Sequence, residues 1–156
     1  MLKTTFGDEP FALLLGDTII KNGTPCTETL ISAAEAHDTS VLSLERVPWE
    51  QVPSYGVADV GDVVEAAGSF PVSDFVEKPP RDEAPSNLEI TGRYVLTPDI
   101  FEILRNTEKG VGGELQLTDA IRQLESVRGS NSTGIATISA TSRVGCGRTF
   151  RWHSPT

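Results

Sequence analysis

Cysteine is nearly absent from these 156 residues: only Cys26 and Cys146 occur, far apart in the chain. That spacing matches neither a zinc site nor a C-x-x-C redox pair, and it excludes a disulfide-stapled scaffold. Both thiols are read as buried and inert. Basic charge is scarce as well, with 13 Lys and Arg against 22 Asp and Glu, a net charge of −9. A field of that sign repels a polyphosphate backbone, so a nucleic-acid partner is not expected. A few placed cations can still hold one small phosphate. No run approaches the roughly 18 apolar residues of a membrane span, and the opening MLKTTFGDEP has no apolar core of signal-peptide length. The expectation is a cytoplasmic protein with no membrane partner.

Acidic residues are missing from one region altogether. The first 125 positions carry nine basic and all 22 acidic residues, a net −13. Residues 126–156 carry only Arg128, Arg143, Arg148 and Arg151, a net +4. Such a tail reads either as a basic interaction arm or as the product of a shifted reading frame.

What is present suffices for one globular domain, with 38% hydrophobic and 22% charged residues. FALLLGD at 11–17 is a short continuous apolar run, the pattern of a central parallel strand covered on both faces. Thr24-Pro25 is an N-cap followed by proline, and Leu30, Ala33, Ala34 and His37 recur at helical spacing, so 25–38 is expected as helix. SVLSLERV at 40–47 returns as a strand, completing a βαβ unit. GVADV (56–60), VVEAAG (63–68) and VSDFVEK (72–78) are short strand candidates separated by Gly-Asp and Gly-Ser-Phe-Pro turns.

EKPPRDEAPSN at 77–87 has three prolines and is a loop, followed by a strand at 89–96. Thr97-Pro98 opens a helix that buries Ile100, Phe101 and Leu104, and GVGG at 110–113 is a turn. Leu117, Ala120, Ile121 and Leu124 repeat at i, i+3, i+4 and i+7, an amphipathic helix, and GIATISA at 134–140 is a last strand. The class is α/β with a mixed β-sheet.

Four places carry candidate chemistry. Asp17 closes the first strand, where ligands gather in open α/β sheets. A carboxylate there, beside Gly16, suits a magnesium ion or merely caps the turn. Glu77-Lys78-Pro79 ends another strand. Glu accepts hydrogen bonds from hydroxyls and Lys offers a point charge to phosphate, though charges before a proline turn are also common surface residues. Tyr55-Gly56 puts a bare N–H where a ligand, or only a hairpin, needs it. Glu114 and Asp119 flank a helix start, where carboxylates complement the dipole; capping and packing explain them well. His37 and His153 have no evident partner in the pattern.

These segments arrive in a particular order. GDEPFALLLGD, LERVPWEQVPSYGVAD, FVEKP, EAPSNLEITGRYVLTPDIFEIL and GGELQLTDAI, from about residue 7 to residue 125, resemble the bacterial and archaeal-type UTP–glucose-1-phosphate uridylyltransferases. The resemblance implies a partial Rossmann-like nucleotidyltransferase domain that joins UTP and glucose 1-phosphate into UDP-glucose with release of pyrophosphate. It implies Mg2+ as cofactor, with Asp17 as metal ligand, Glu77 on the glucose hydroxyls, Lys78 as the catalytic, phosphate-binding lysine and Gly56 as a backbone contact to the sugar. Homo-oligomers are the implied assembly.

Two parts of the family pattern are missing. No G-x-G-T-R loop with its following lysine, which would cradle the UTP, occurs in this chain. Where the family has a Tyr-Asp-x-Gly segment, this chain reads Val144-Gly145-Cys146-Gly147. Residues 1–140 are accordingly expected to be the C-terminal portion of the domain and 141–156 a divergent, disordered tail. The strand at 11–16 is expected to be left with an unpaired apolar edge. Such a chain is expected not to turn over alone; the alternative is a non-catalytic remnant that binds sugar phosphate or only self-associates.

Overall fold

The computed structural model describes residues 7–16, 18–21, 26–61, 68–107, 115–131 and 136–139, with 18–21 and 136–139 described as backbone. The strands are β1 (Phe11–Leu14), β2 (Thr18–Lys21), β3 (Ser40–Arg46), β4 (Gly56–Asp59), β5 (Ser69–Pro71), β6 (Asp74–Glu77), β7 (Leu88–Leu96), β8 (Val127–Asn131) and β9 (Ala136–Ser139). The helices are α1 (Cys26–His37), α2 (Ile100–Asn106) and α3 (Leu117–Ile121). Seven strands form one mixed sheet in the order β5-β8-β3-β7-β4-β6, with β1 also on β7, while β2 and β9 pair antiparallel by themselves. The α/β class and the mixed sheet are as the sequence suggests.

β7 is the spine, because nine residues give it room for three neighbours. β3 lies antiparallel along one edge. The other edge is shared: β1 pairs with residues 93–96 and β4 pairs at Glu89, both antiparallel. β1 and β3 therefore run in the same direction with β7 between them, and α1 makes the crossover. The strand–helix–strand reading holds, but β1 is not the central parallel strand expected. Its burial alternates, since Phe11 and Leu13 pack against the core while Leu14 is 49% exposed. An apolar run is identical on both faces, yet only one face of β1 is covered among the described residues.

Two sheet neighbours were not legible. β8 is the parallel partner of β3, although VRGSN has little strand propensity. Its place between β3 and β5 makes it a strand, and the close packing there requires the glycine: a Cβ on Gly129 would overlap Leu44 and come within 2.9 Å of Phe70. The Gly-Ser-Phe-Pro segment, read as a turn, contributes β5, and Pro71 is tolerated because β5 is an edge strand. The strand expected at 63–68 falls mostly on residues outside the description, as do the Thr24-Pro25 helix start, the GVGG turn, Glu114, Cys146, His153 and the tail from 140.

One face of the sheet carries the main core, where Leu42, Leu44, Ala58, Phe75, Leu88 and Leu96 meet Ile100 and Phe101 of α2 and Ala120 and Ile121 of α3. Phe11 and Phe101 stack with ring centroids 4.9 Å apart. The opposite face packs Leu30 and Ala34 of α1 on Val41 and Val95, with Val47, Val52 and Val57 as a satellite. Cys26 is half-buried and free, its thiol donating to the Ser43 hydroxyl. Thr97 does not cap α2 with its side chain. Its hydroxyl bonds Ser40 of β3 at 2.9 Å, while its carbonyl accepts the Ile100 N–H. No helix among the described residues is long and apolar enough to cross a membrane.

Candidate functional site

The first residue of β4 and the last of β6 are register partners: Gly56 lies opposite Glu77. Paired residues share a face, so the Glu77 carboxylate lies across Gly56. A Cβ on Gly56 would sit 2.8 Å from Glu77 Oε2 and 3.6 Å from Ile90 Cδ1. The glycine is needed because the space its side chain would occupy already holds a carboxylate. The Thr118 hydroxyl, from α3, donates to the same Oε2 at 3.3 Å.

Lys78 follows at the strand end with φ of 45°, in the left-handed region that non-glycine residues rarely adopt. Holding it there costs on the order of 1 kcal/mol. The Lys78 N–H donates to the Tyr55 carbonyl at 3.0 Å, which fixes the turn. Adjacent residues on an extended strand point to opposite faces; the left-handed turn breaks that alternation. Lys78 Nζ consequently comes within 3.7 Å of Glu77 Oε1, and both side chains are open to solvent. An exposed pair of this kind adds little stability. It leaves an acceptor of hydroxyl protons and a cation side by side, free to take a ligand.

The end of β1 reaches the same stretch of β7. Leu15 N–H donates to the Gly92 carbonyl at 2.9 Å, and Gly92, with φ of 70°, has the Leu15 side chain where its own would stand. Gly56 adjoins Ile90, two residues earlier on β7. The edge of β7 shared by β1 and β4 thus brings Leu15 and Gly56 to neighbouring positions. Asp17, two residues beyond Leu15, lies outside the described residues. The structure brings together Gly56, Glu77 and Lys78. Among the described residues no group of three or more His, Cys, Asp or Glu could hold a metal.

Two features were not singled out from sequence. Thr118 and Arg122 both sit in or just after the GGELQLTDAI segment, whose residue types point to its carboxylates instead. The Asp119 backbone carbonyl accepts Gln123 Nε2 at 3.0 Å. Arg122 grips Asp74 of β6 with two bonds, 2.7 and 2.9 Å, and so pins α3 to the strand that carries Glu77. The Arg122 hydrogen bond holds the Asp74 carboxyl below its usual range, and the same bond raises the guanidinium.

On the other face of the sheet, Glu89 is buried opposite Glu45 and Val57, and its Oε2 has no hydrogen-bond partner. Burial first, and then the Glu45 charge, push its carboxyl up to about 7. Tyr55 is raised too, by burial and then by Glu89 and Glu45.

A strand-end Glu-Lys pair thus stands over a glycine at the edge of a mixed sheet flanked by helices. Residues 1–133 match the family described as Nucleotidyl transferase, and the chain belongs to that family. It is similar to the UTP–glucose-1-phosphate uridylyltransferase of Bacillus subtilis (strain 168), at 45% identity over 122 residues, 78% of this chain and 41% of that protein. Against the UTP–glucose-1-phosphate uridylyltransferase 2 of Staphylococcus saprophyticus, identity is 48% over 118 residues, 76% of this chain and 40% of that one.

Solved structures agree. A UDP-glucose pyrophosphorylase complexed with UDP-glucose superposes with a TM-score of 0.74 at 36% identity, over 83% of this chain and 50% of that chain. The UTP-bound UGPase from Acinetobacter baumannii gives 0.78 at 34% identity, over 90% and 49%. The fold is a partial α/β nucleotidyltransferase domain. The chain spans about two fifths of the length of these curated relatives.

Proposed function

We propose that this chain is the sugar-phosphate half of a UTP–glucose-1-phosphate uridylyltransferase, with Glu77 gripping glucose hydroxyls, Lys78 holding the phosphate, and Gly56 offering its backbone to the sugar. The observation that carries this reading is the left-handed Lys78, which sets its ammonium beside the Glu77 carboxylate over Gly56. A backbone held in an unfavourable region to bring two charged side chains together at a strand end is better suited to a ligand than to stability. The names of the similar proteins supply UTP and glucose 1-phosphate as substrates.

In the proposed reaction an oxygen of the sugar phosphate attacks the α-phosphorus of UTP. The bond from that phosphorus to the bridging oxygen breaks, and pyrophosphate leaves with the electron pair. Lys78 neutralises charge on the attacking phosphate, and Glu77 fixes the sugar so that the oxygen is aimed in line; catalysis is positioning and electrostatics. Asp17 is the proposed ligand for Mg2+. Its hard carboxylate oxygen fits a cation that takes one or two carboxylates and fills its shell with water and phosphate oxygens. When bound, magnesium supplies positive charge beside the phosphates. A cytoplasmic setting belongs to the same proposal, since it follows from the substrates. So does homo-oligomeric assembly, supported by the exposed Leu14 and Leu15 at the end of β1 and by Ile31, which borders a cavity with Phe11 and Ala12.

A second reading, non-catalytic binding of sugar phosphate, draws on the chain's span of about two fifths of its relatives. One experiment addresses both. The purified chain is given Mg2+, UTP and glucose 1-phosphate, and pyrophosphate is measured; UDP-glucose binding is measured calorimetrically alongside. The expected result is no turnover, with UDP-glucose binding weakened about tenfold or more in Lys78→Ala, the loss of one charge-assisted contact. Binding unaffected by Lys78→Ala would refute the site.

A further inference from the structure

We propose that Thr118 is a positioning residue for Glu77: its hydroxyl, acting with the bare Cα of Gly56, sets the plane of the carboxylate before any ligand arrives. The inference rests on the reading above in which Glu77 recognises sugar hydroxyls. Two features act on one oxygen. Oε2 accepts from Thr118 at 3.3 Å and occupies the space a Gly56 Cβ would enter. Oε1 faces Lys78 Nζ instead, at 3.7 Å. The last torsion of a glutamate is broad and nearly two-fold, so a carboxylate open to solvent turns easily about it. With Oε2 held, Oε1 and the remaining lone pairs keep one direction, and less freedom is lost when sugar hydroxyls bind.

Thr118 can act as a fixed point because its helix is tied down. Ala120 and Ile121 of α3 are buried in the main core, and the Arg122 N–H donates to the Thr118 carbonyl at 3.1 Å. Arg122 stands four residues on, on the same side of the helix as Thr118, and its two bonds to Asp74 fasten α3 to β6. Asp74 opens the strand that Glu77 closes. Strand and helix are therefore joined at both ends of β6, once by an ion pair and once by the hydroxyl that aims the carboxylate.

This arrangement separates sugar from phosphate. Thr118 touches Glu77 and has no bond to Lys78, so its loss should weaken ligands through their hydroxyls alone. The test is isothermal titration of the chain with glucose 1-phosphate and, separately, with inorganic phosphate. Thr118→Val is expected to weaken glucose 1-phosphate about five- to tenfold, the size of one ordinary hydrogen bond, and to leave inorganic phosphate within about twofold. Thr118→Ser, which restores the hydroxyl, should recover the wild-type value. Gly56→Ala, which keeps Thr118 but displaces Oε2, should show the same selective loss. Wild-type affinity in Thr118→Val, no rescue by serine, or equal weakening of both probes would each overturn the proposal. Failure of the wild-type chain to bind glucose 1-phosphate is a different result: it would sink the Glu77 reading itself, and this inference with it.

Discussion

Glu89 ties the stability of this chain to pH in a direction opposite to that of ordinary surface carboxylates. It is 7% exposed, one oxygen has no partner, and Glu45 stands opposite on β3. Its carboxyl is raised from the ordinary 4.5 to about 7, so the folded chain favours the neutral acid. The unfolded chain ionises the same group near 4.5. Below that value both states are protonated and folding loses nothing. As pH rises through the window from 4.5 to about 7, the unfolded state gains a hydrated charge that the folded state resists, and stability falls.

At 1.36 kcal/mol per pKa unit, the full effect is about 3 kcal/mol. The perturbation is Glu89→Gln, which keeps the shape and removes the charge. Urea unfolding followed by circular dichroism at pH 4.5 and pH 8 should show the variant gaining about 3 kcal/mol on the wild type between those values. Glu45→Gln should recover part of the same gain, because the opposing charge is the lesser of the two causes. Parallel pH profiles for wild type and Glu89→Gln would refute the reasoning.

Two further expectations test how the sheet and α3 are held. Gly129→Ala places a methyl against Leu44 and Phe70 in the core and should cost about 1–3 kcal/mol in urea unfolding; a wild-type midpoint would show that β8 is not seated as described. Arg122→Ala removes the half-exposed pair with Asp74. It should cost under about 1 kcal/mol at pH 7, less in high salt. Because Asp74 is held below its ordinary 3.8, this contribution should shrink as the pH falls below that value; a difference that does not diminish with acid would argue against the pair.

Local chemistry was sufficient for several elements. Leu30 and Ala34 at helical spacing placed α1 within one residue of its observed limits, and the Val- and Leu-rich runs placed β3 and β7. The same holds for Glu77-Lys78-Pro79 and Gly56 as candidates, because strand ends beside proline and glycine are visible in the residue types. α3 was expected to continue to Leu124 but ends at Ile121, with Leu124 still buried through a following turn. Apolar spacing reports which side chains reach the core and does not distinguish a helix from a turn that delivers the same residue.

What the amino-acid order determined by itself was the class of fold, the family and the identity of the charged residues at one strand end. Periodicity and motif order are properties of the chain, and they survive without any partner. Tertiary structure alone decided that VRGSN is a strand, since it pairs with β3 and β5 and only a glycine at 129 leaves room for Leu44 and Phe70. It alone decided that Lys78 turns left-handed to stand beside Glu77, and that Thr118, 41 positions away, reaches the same carboxylate. Such arrangements depend on which distant segment occupies the neighbouring volume, and no local window of sequence contains that information.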